Sequence, residues 1–234
     1  MTSLKNFKKE LRQLANPTKA LTLQRFFKTG KGEYGEGDRF LGITVPLQRK
    51  LVQSYVKLNL KDLKILLRSK LHEERLSGLL ILVKQYQQAE HPKTQEKIFK
   101  FYLQHTKHIN NWDLVDLTAY HIVGHYLFDK EPNILYQLAK SRNLWERRIA
   151  IVATYYFIRQ KSFQPTLTLA AMLLQDHEDL LHKACGWMLR ELGKRDLKIL
   201  EAFLQKHYQK MPRTMLRYTI EKFPQKRRKE ILEV

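Results

Sequence analysis

Residues 71–82 read Leu71-His-Glu-Glu-Arg75 followed by Leu-Ser-Gly-Leu-Leu-Ile-Leu. The pattern returns as Leu144-Trp-Glu-Arg-Arg148 followed by Ile-Ala-Ile-Val-Ala. It returns again as Asp179-Leu-Leu-His-Lys183 followed by Ala-Cys-Gly-Trp-Met-Leu. Pro212-Arg-Thr-Met-Leu-Arg217 is a poorer fourth copy. Arg75 and Arg148 lie 73 residues apart and Arg148 and Lys183 lie 35 apart, so the unit is roughly 36 residues long. Helix pairs repeated at about this length stack into right-handed solenoids of the HEAT or armadillo kind, because each repeat buries its apolar face only against its neighbours.

Outside these copies the chain also reads as helix after helix. Apolar residues recur at i, i+3, i+4 and i+7 over 4–14, 47–58, 60–67, 76–86, 98–103, 114–127, 134–138, 144–158, 167–174, 180–192 and 197–208. Asn16-Pro17, Thr44-Val45-Pro46, Asn59, Glu131-Pro132 and Gln164-Pro165 supply helix-start chemistry. No stretch alternates in the manner of a strand. The expected fold is an all-α solenoid of HEAT-like repeats, one domain over 1–234, with a concave basic groove. The exception is 29–44, which holds five of the nine glycines. It contains a formal G-x-G-x-x-G at 30–35, but the preceding residues look helical and no βαβ unit surrounds it, so 30–37 reads as a surface loop.

Forty-three Lys and Arg against 23 Asp and Glu leave a formal net charge of +20, which favours a polyanionic partner. The single cysteine, Cys185, excludes an internal disulfide framework and points to a reducing compartment. No apolar signal core opens the chain, and the longest aliphatic run, 79–83, is too short to cross a bilayer. The expectation is a cytoplasmic protein, associated with the nucleoid in a prokaryote or nuclear in a eukaryote. No contact with membranes is expected.

In the repeats, Arg75, Arg148 and Lys183 hold the same place just before an apolar helix. A cation there opposes the helix dipole, at a few tenths of a kcal/mol. Its recurrence predicts a row of phosphate contacts along one face; the alternative is a set of solvated cations paired with Glu73, Glu74 and Glu146. Trp145 with Arg148, and Lys183 with Trp187, interleave aromatic and basic side chains as nucleic-acid grooves do. The segment Asn111-Trp112-Asp113-Leu114-Val115-Asp116 places an indole and a carboxylate at i and i+4, on one helix face. An anion beside an indole suits a cation, and in so basic a chain that cation would arrive on a polyanion. Asp113 fits the first turn of a helix, where a carboxylate is favoured anyway. His121 and His125 share a face but lack a third ligand and the H-E-x-x-H glutamate, so no metal site is expected. The run 226–229 reads as a solvated basic face. Cys185 reads as buried, with no Cys–His nucleophile pair.

These elements together resemble the DNA alkylation repair family. The resemblance rests on Phe40-Leu-Gly-Ile-Thr-Val-Pro46 with Arg49, on Leu71-His-Glu-Glu-Arg75, on Trp112-Asp-Leu-Val-Asp116, on Leu144-Trp-Glu-Arg-Arg148, and on Lys183-Ala-Cys-Gly-Trp187 with Leu189-Arg190-Glu191. It spans about residues 1–220. It implies HEAT-like repeats curving around duplex DNA and hydrolytic excision of cationic bases such as 3-methyladenine and 7-methylguanine, without drawing the base into a pocket. It places the catalytic aspartate on Asp116, flanking tryptophans on Trp112 and Trp187, and a phosphate-gripping arginine on Arg148. Arg75, Lys183, Arg190 and Trp145 complete the expected DNA contacts. No metal, organic cofactor or obligate protein partner is implied, and a monomer is expected. Leu180-Leu181 departs from the family's aromatic pattern. Some members keep the fold and bind damaged or branched DNA without cutting it, which is the alternative function; a scaffold for acidic proteins is a third.

Overall fold

The computed structural model describes residues 3–232 and is all-helical among them, apart from one isolated parallel bridge between Arg39 and Leu71. Its Cα packing gathers the chain into two compact units, Met1–Thr118 and Ala119–Val234.

The repeat copies at 71, 144 and 179 become the inner helices. His72–Gln87 is the centre of the first unit. It is buried on nearly every side from His72 to Val83, and packs against Val45–Val52, Leu60–Leu67, Pro92–Gln104 and Trp112–Asp116. Leu144–Arg159 has the same role in the second unit, among Asn133–Ala139, Gln164–Met172 and Asp179–Gly193. Asp179–Gly193 in turn packs on Leu197–His207 and on Arg213–Thr219, which is the weak fourth copy. Burial all round explains why these inner helices carry apolar residues on more than one face.

Local chemistry sets the outer helices. Asn16 caps Pro17–Phe26 through Lys19 N–H, and Asn59 caps Leu60–Leu67 through Lys61 and Asp62 N–H. The apolar run at 114–127 predicts one helix, but the structure breaks it. Trp112–Asp116 ends at a turn, and a π-turn, Tyr120–Gly124, comes before His125–Leu127. The Thr118 hydroxyl donates to the Leu114 carbonyl and lies 2.9 Å from Tyr102 Oη, so a side chain competes with the backbone where the helix would continue.

The glycine-rich 29–44 segment divides in two. Residues 29–37 form turns at the surface. Residues 38–43 are pinned, with Asp38, Phe40, Gly42 and Ile43 buried. Arg39 N–H donates to Lys70 O, His72 N–H to Arg39 O, and the Glu73 carboxylate accepts the N–H groups of Leu41, Gly42 and Ile43. Gly42 sits at φ +83°, where an added Cβ would come within 2.1 Å of Asn16 O. The expected surface loop therefore stops at Gly37, and residues 38–43 form a buried strap.

Gly186 marks a close helix crossing in the second unit. A Cβ there would lie 2.5 Å from Tyr218 Cβ and 2.6 Å from Met215 O. Gly186→Ala is expected to cost about 1–3 kcal/mol by overpacking, read as a lower melting temperature. An unchanged melting temperature would show that the crossing relaxes freely.

Candidate nucleic-acid interface and catalytic carboxylate

The first unit carries Trp112 and Asp116 at the two ends of one short helix. Asn111 starts it, its side-chain oxygen accepting Trp112 N–H at 2.8 Å. Both Trp112 and Asp116 are half-buried, whereas Asp113, Leu114 and Val115 between them are buried. Trp112 stacks on Phe27 at 4.9 Å, meets Phe26 edge-on at 5.8 Å, and donates Nε1–H to Tyr34 Oη at 3.3 Å. The indole is thus held on one face by a phenyl ring and at its edge by a hydroxyl. On the other side, burial pushes the Tyr102 phenol up, and the Asp116 carboxylate adds to that rise. The structure thus holds the indole in place, with the Asp116 carboxylate at the other end of the same short helix.

Beneath this helix lies a network that the sequence reading missed. His72, 2% exposed, donates from Nε2 to Asp113 (2.8 Å) and from Nδ1 to Asp38 (3.0 Å). Arg75 Nη2 lies 2.7 Å from both Asp38 carboxylate oxygens. Burial alone would depress the His72 pKa, but the charge and hydrogen bond of Asp113, with Asp38 behind, outweigh it and raise it to about 9, against the opposing charge of Arg75. Burial acts to raise the Asp38 pKa, and His72 and Arg75 overcome it to hold the carboxyl below its usual range. The imidazole is therefore an imidazolium at neutral pH. Asp113, expected only as a first-turn carboxylate, is half of a buried ion pair. The one local signal was the His-Glu-Glu-Arg run of the first repeat, whose residues all turn inward.

Arg75 is a correction. It was expected at a phosphate, yet it is 4% exposed, with its guanidinium on Asp38 and on the Ser69 carbonyl at 3.0 Å. The reason is register. Arg75 is the fourth residue of its helix and bonds the carbonyl six residues back. The fourth residue of the next copy is Arg147, which bonds Ser141 O six residues back and holds Asp176 at 2.6 Å. In the third copy it is His182, which bonds Asp176 O in the same way. Arg148 and Lys183 are fifth residues, about 100° further round the helix, and their counterpart in the first copy is buried Leu76. The fourth position is an anchor, and the fifth holds buried Leu76, buried Arg148 and half-exposed Lys183.

The second unit carries the remaining residues. Arg148 is 5% exposed and donates to the Leu180 carbonyl. Lys183 is half-exposed and pairs with Asp179 at 2.7 Å, and Arg190 pairs with Glu221. Trp145, whose backbone N–H is capped by the Asn143 side chain, is 8% exposed, so it packs in the interior and leaves the set of expected DNA contacts. Trp187 is half-buried, 6.0 Å from the Tyr155 ring. Tyr155 meets Tyr120 edge-on at 5.2 Å and lies under the Arg195 guanidinium at 5.8 Å. This aromatic and cationic cluster was not foreseen around Trp187. Tyr120 sits in the π-turn and Tyr155 a full helix away, so no spacing links them. Burial pushes the Cys185 thiol up, leaving it a buried apolar side chain. Among the described residues no cluster of three or more His, Cys, Asp or Glu is placed to hold a metal, and no helix is long and apolar enough to cross a membrane.

The family model described as DNA alkylation repair enzyme matches residues 7–223. The chain belongs to that family. Its fold is also that of a solved structure titled "Predicted DNA alkylation repair enzyme from Enterococcus faecalis", with a TM-score of 0.70 at 16% identity over 90% of this chain and 97% of the other. No curated protein matches the sequence. Membership assigns the chain to enzymes of DNA alkylation repair, with DNA as the implied substrate. The Trp112–Asp116 helix and the fifth-position cations Arg148 and Lys183 all fall inside the matched span.

Proposed function

We propose that this DNA alkylation repair enzyme is a monofunctional DNA glycosylase. It hydrolyses the N-glycosidic bond of cationic alkylpurines, 3-methyladenine and 7-methylguanine, in duplex DNA and leaves an abasic site. The observation that carries the proposal is the pairing of Trp112 and Asp116 on one short, internally anchored helix. An N3- or N7-alkylated purine already carries positive charge, so it leaves as a neutral base without a strong general acid. The barrier lies in the oxocarbenium-like sugar. A fixed carboxylate beside that sugar stabilises the transition state more than the ground state. Asp116 has the second task of orienting or deprotonating the attacking water.

Trp112 offers a π face to the sugar or the cationic lesion beside Asp116, contributing about 0.5–2 kcal/mol, and Trp187 offers a face of the same kind on the second unit. Lys183 and Arg190 hold phosphates near the lesion, while Arg148, first expected at a phosphate itself, is 5% exposed and donates to the Leu180 carbonyl, so it steadies the start of the helix that carries them; such contacts set register without reading sequence. The whole chain acts as one DNA-binding domain, as a monomer, in the compartment that holds the chromosome. No lysine forms a Schiff base, so the strand is not cut, and no cofactor is needed.

The test is incubation with methylated duplex at neutral pH without heating. Free methylated base with an equal count of abasic sites is the expected result. Tight duplex binding without release would favour the non-cutting alternative. Duplex affinity is expected to fall with salt at a log–log slope of roughly −5 if about six phosphates are neutralised. Salt-insensitive binding, or none, would favour an acidic protein partner.

A further inference from the structure

We propose that His72 is a positioning residue for the reaction: clamped between Asp38 and Asp113, it sets the angle of the Trp112–Asp116 helix and so the placement of the indole and of the Asp116 carboxylate. The inference rests on the glycosylase reading for its kinetic consequence, but its structural consequence stands apart from that reading.

Three observations converge on His72. First, the helix is only Trp112–Asp116 long and cannot fix its own direction through its backbone bonds. Second, its buried Asp113 is tied to His72 Nε2 at 2.8 Å, and His72 Nδ1 is tied to Asp38 on the 38–43 strap at 3.0 Å. One ring thus joins three separate chain segments. Third, the same ring stacks on Phe40 at 4.4 Å and lies 5.1 Å from Phe27, which is itself stacked on Trp112 at 4.9 Å. Both ends of the Trp112–Asp113 pair therefore lead back to one imidazole, once through a hydrogen bond and once through a ring stack.

Packing alone does not fix this geometry. A cavity of about 380 Å³ is bordered by Phe27, Phe40, His72 and Asp113, so one side of the network is not filled by side chains. Hydrogen-bond direction decides the angle there. The charged groups facing His72 are Asp38 from the strap, Asp113 from the short helix, and Arg75 from its own helix with Nη2 3.5 Å from Nδ1. Two anions against one further cation keep the ring doubly protonated, so both N–H groups donate at once. A neutral imidazole can donate from one nitrogen only and would release one carboxylate. Asp116 lies less than one helical turn beyond Asp113, so a tilt of the helix at Asp113 moves the Asp116 carboxylate with it.

The experiment uses His72→Gln, whose two amide N–H donors share one nitrogen and carry no charge, so they do not reproduce donation from opposite sides of a charged ring. Single-turnover release of 7-methylguanine with saturating enzyme at pH 7 is expected to fall at least about tenfold, with duplex Kd within about threefold, a loss in the chemical step rather than in binding. Asp113→Asn is expected to fall similarly. The double variant should be no slower than the slower single, since both break one linkage. Leu63→Ala, in the core of the same unit, supplies a comparable loss of melting temperature and should leave the saturating rate unchanged. A His72→Gln rate equal to wild type, or one matched by Leu63→Ala, overturns the proposal. A second readout is independent of base release. The chain has 3 tryptophans, so Trp145→Phe/Trp187→Phe leaves Trp112 as the reporter. His72→Gln in that background should shift Trp112 emission to the red and increase its quenching by iodide; unchanged emission and quenching overturn the proposal. If wild type releases no base while Trp112 responds, the glycosylase reading fails and the positioning role stands.

Discussion

Asp116→Asn is expected to lower release of 7-methylguanine from methylated duplex by about a hundredfold or more, with DNA affinity unchanged or raised. The amide keeps the shape of the side chain and removes its charge. A unit charge about 4 Å from the developing sugar cation is worth about 4 kcal/mol at an effective dielectric of about 20. Because the substrate base is already cationic, only part of that is differential. About 2.7 kcal/mol of it already gives roughly a hundredfold in rate. Affinity should not suffer, because a carboxylate beside a polyanion repels it in the ground state. Single-turnover release and duplex titration on the same preparations check both halves. Undiminished release by the variant would sink the assignment of Asp116.

The second large effect concerns stability. Asp38→Ala removes the anion shared by Arg75 and His72, which are 4% and 2% exposed. Two cations would then remain in the interior with only Asp113 to balance them. Breaking a buried pair in this way costs about 3–5 kcal/mol, which for a chain of this size is a melting-temperature loss of roughly 6–20 °C. Asp38→Asn should retain part of the hydrogen bonding and lose less. Thermal melting monitored by circular dichroism decides, and a change within a few degrees for Asp38→Ala would mean that water reaches the network. The pH dependence comes from the same groups. His72 is raised from 6.5 to about 9, so its contribution is complete below about 6.5 and is lost as pH rises through about 9. Asp38 is lowered from 3.8, so its contribution is present above that value and is lost as pH falls through its lower folded value. The melting temperature of wild type should therefore fall between about pH 6.5 and 10 more steeply than that of His72→Gln.

The all-helical repeat was legible because its signals are local. Apolar spacing, Asn16 and Asn59 as caps, and the return at 144–148 of the Leu-x-Glu-x-Arg of 71–75 each involve neighbours in the chain. Trp112 and Asp116 were legible for the same reason, since i and i+4 on a helix share a face. Repeat phase was less secure. Aligning Arg75 with Arg148 rather than with Arg147 is a shift of one letter in the sequence, but about 100° on the helix. That angle separates a guanidinium locked on Asp38 from a fifth-position cation.

What the amino-acid order determined by itself was the class of fold, the strong positive charge, and the indole–carboxylate face at 112–116. What only tertiary structure decided was which polar residues turn inward. Asp38 meets His72 across 34 residues and His72 meets Asp113 across 41, and no periodicity carries such a pairing. Burial makes these separations matter: once water is excluded, each charge must find its partner wherever the chain brings one, and the partner comes from packing.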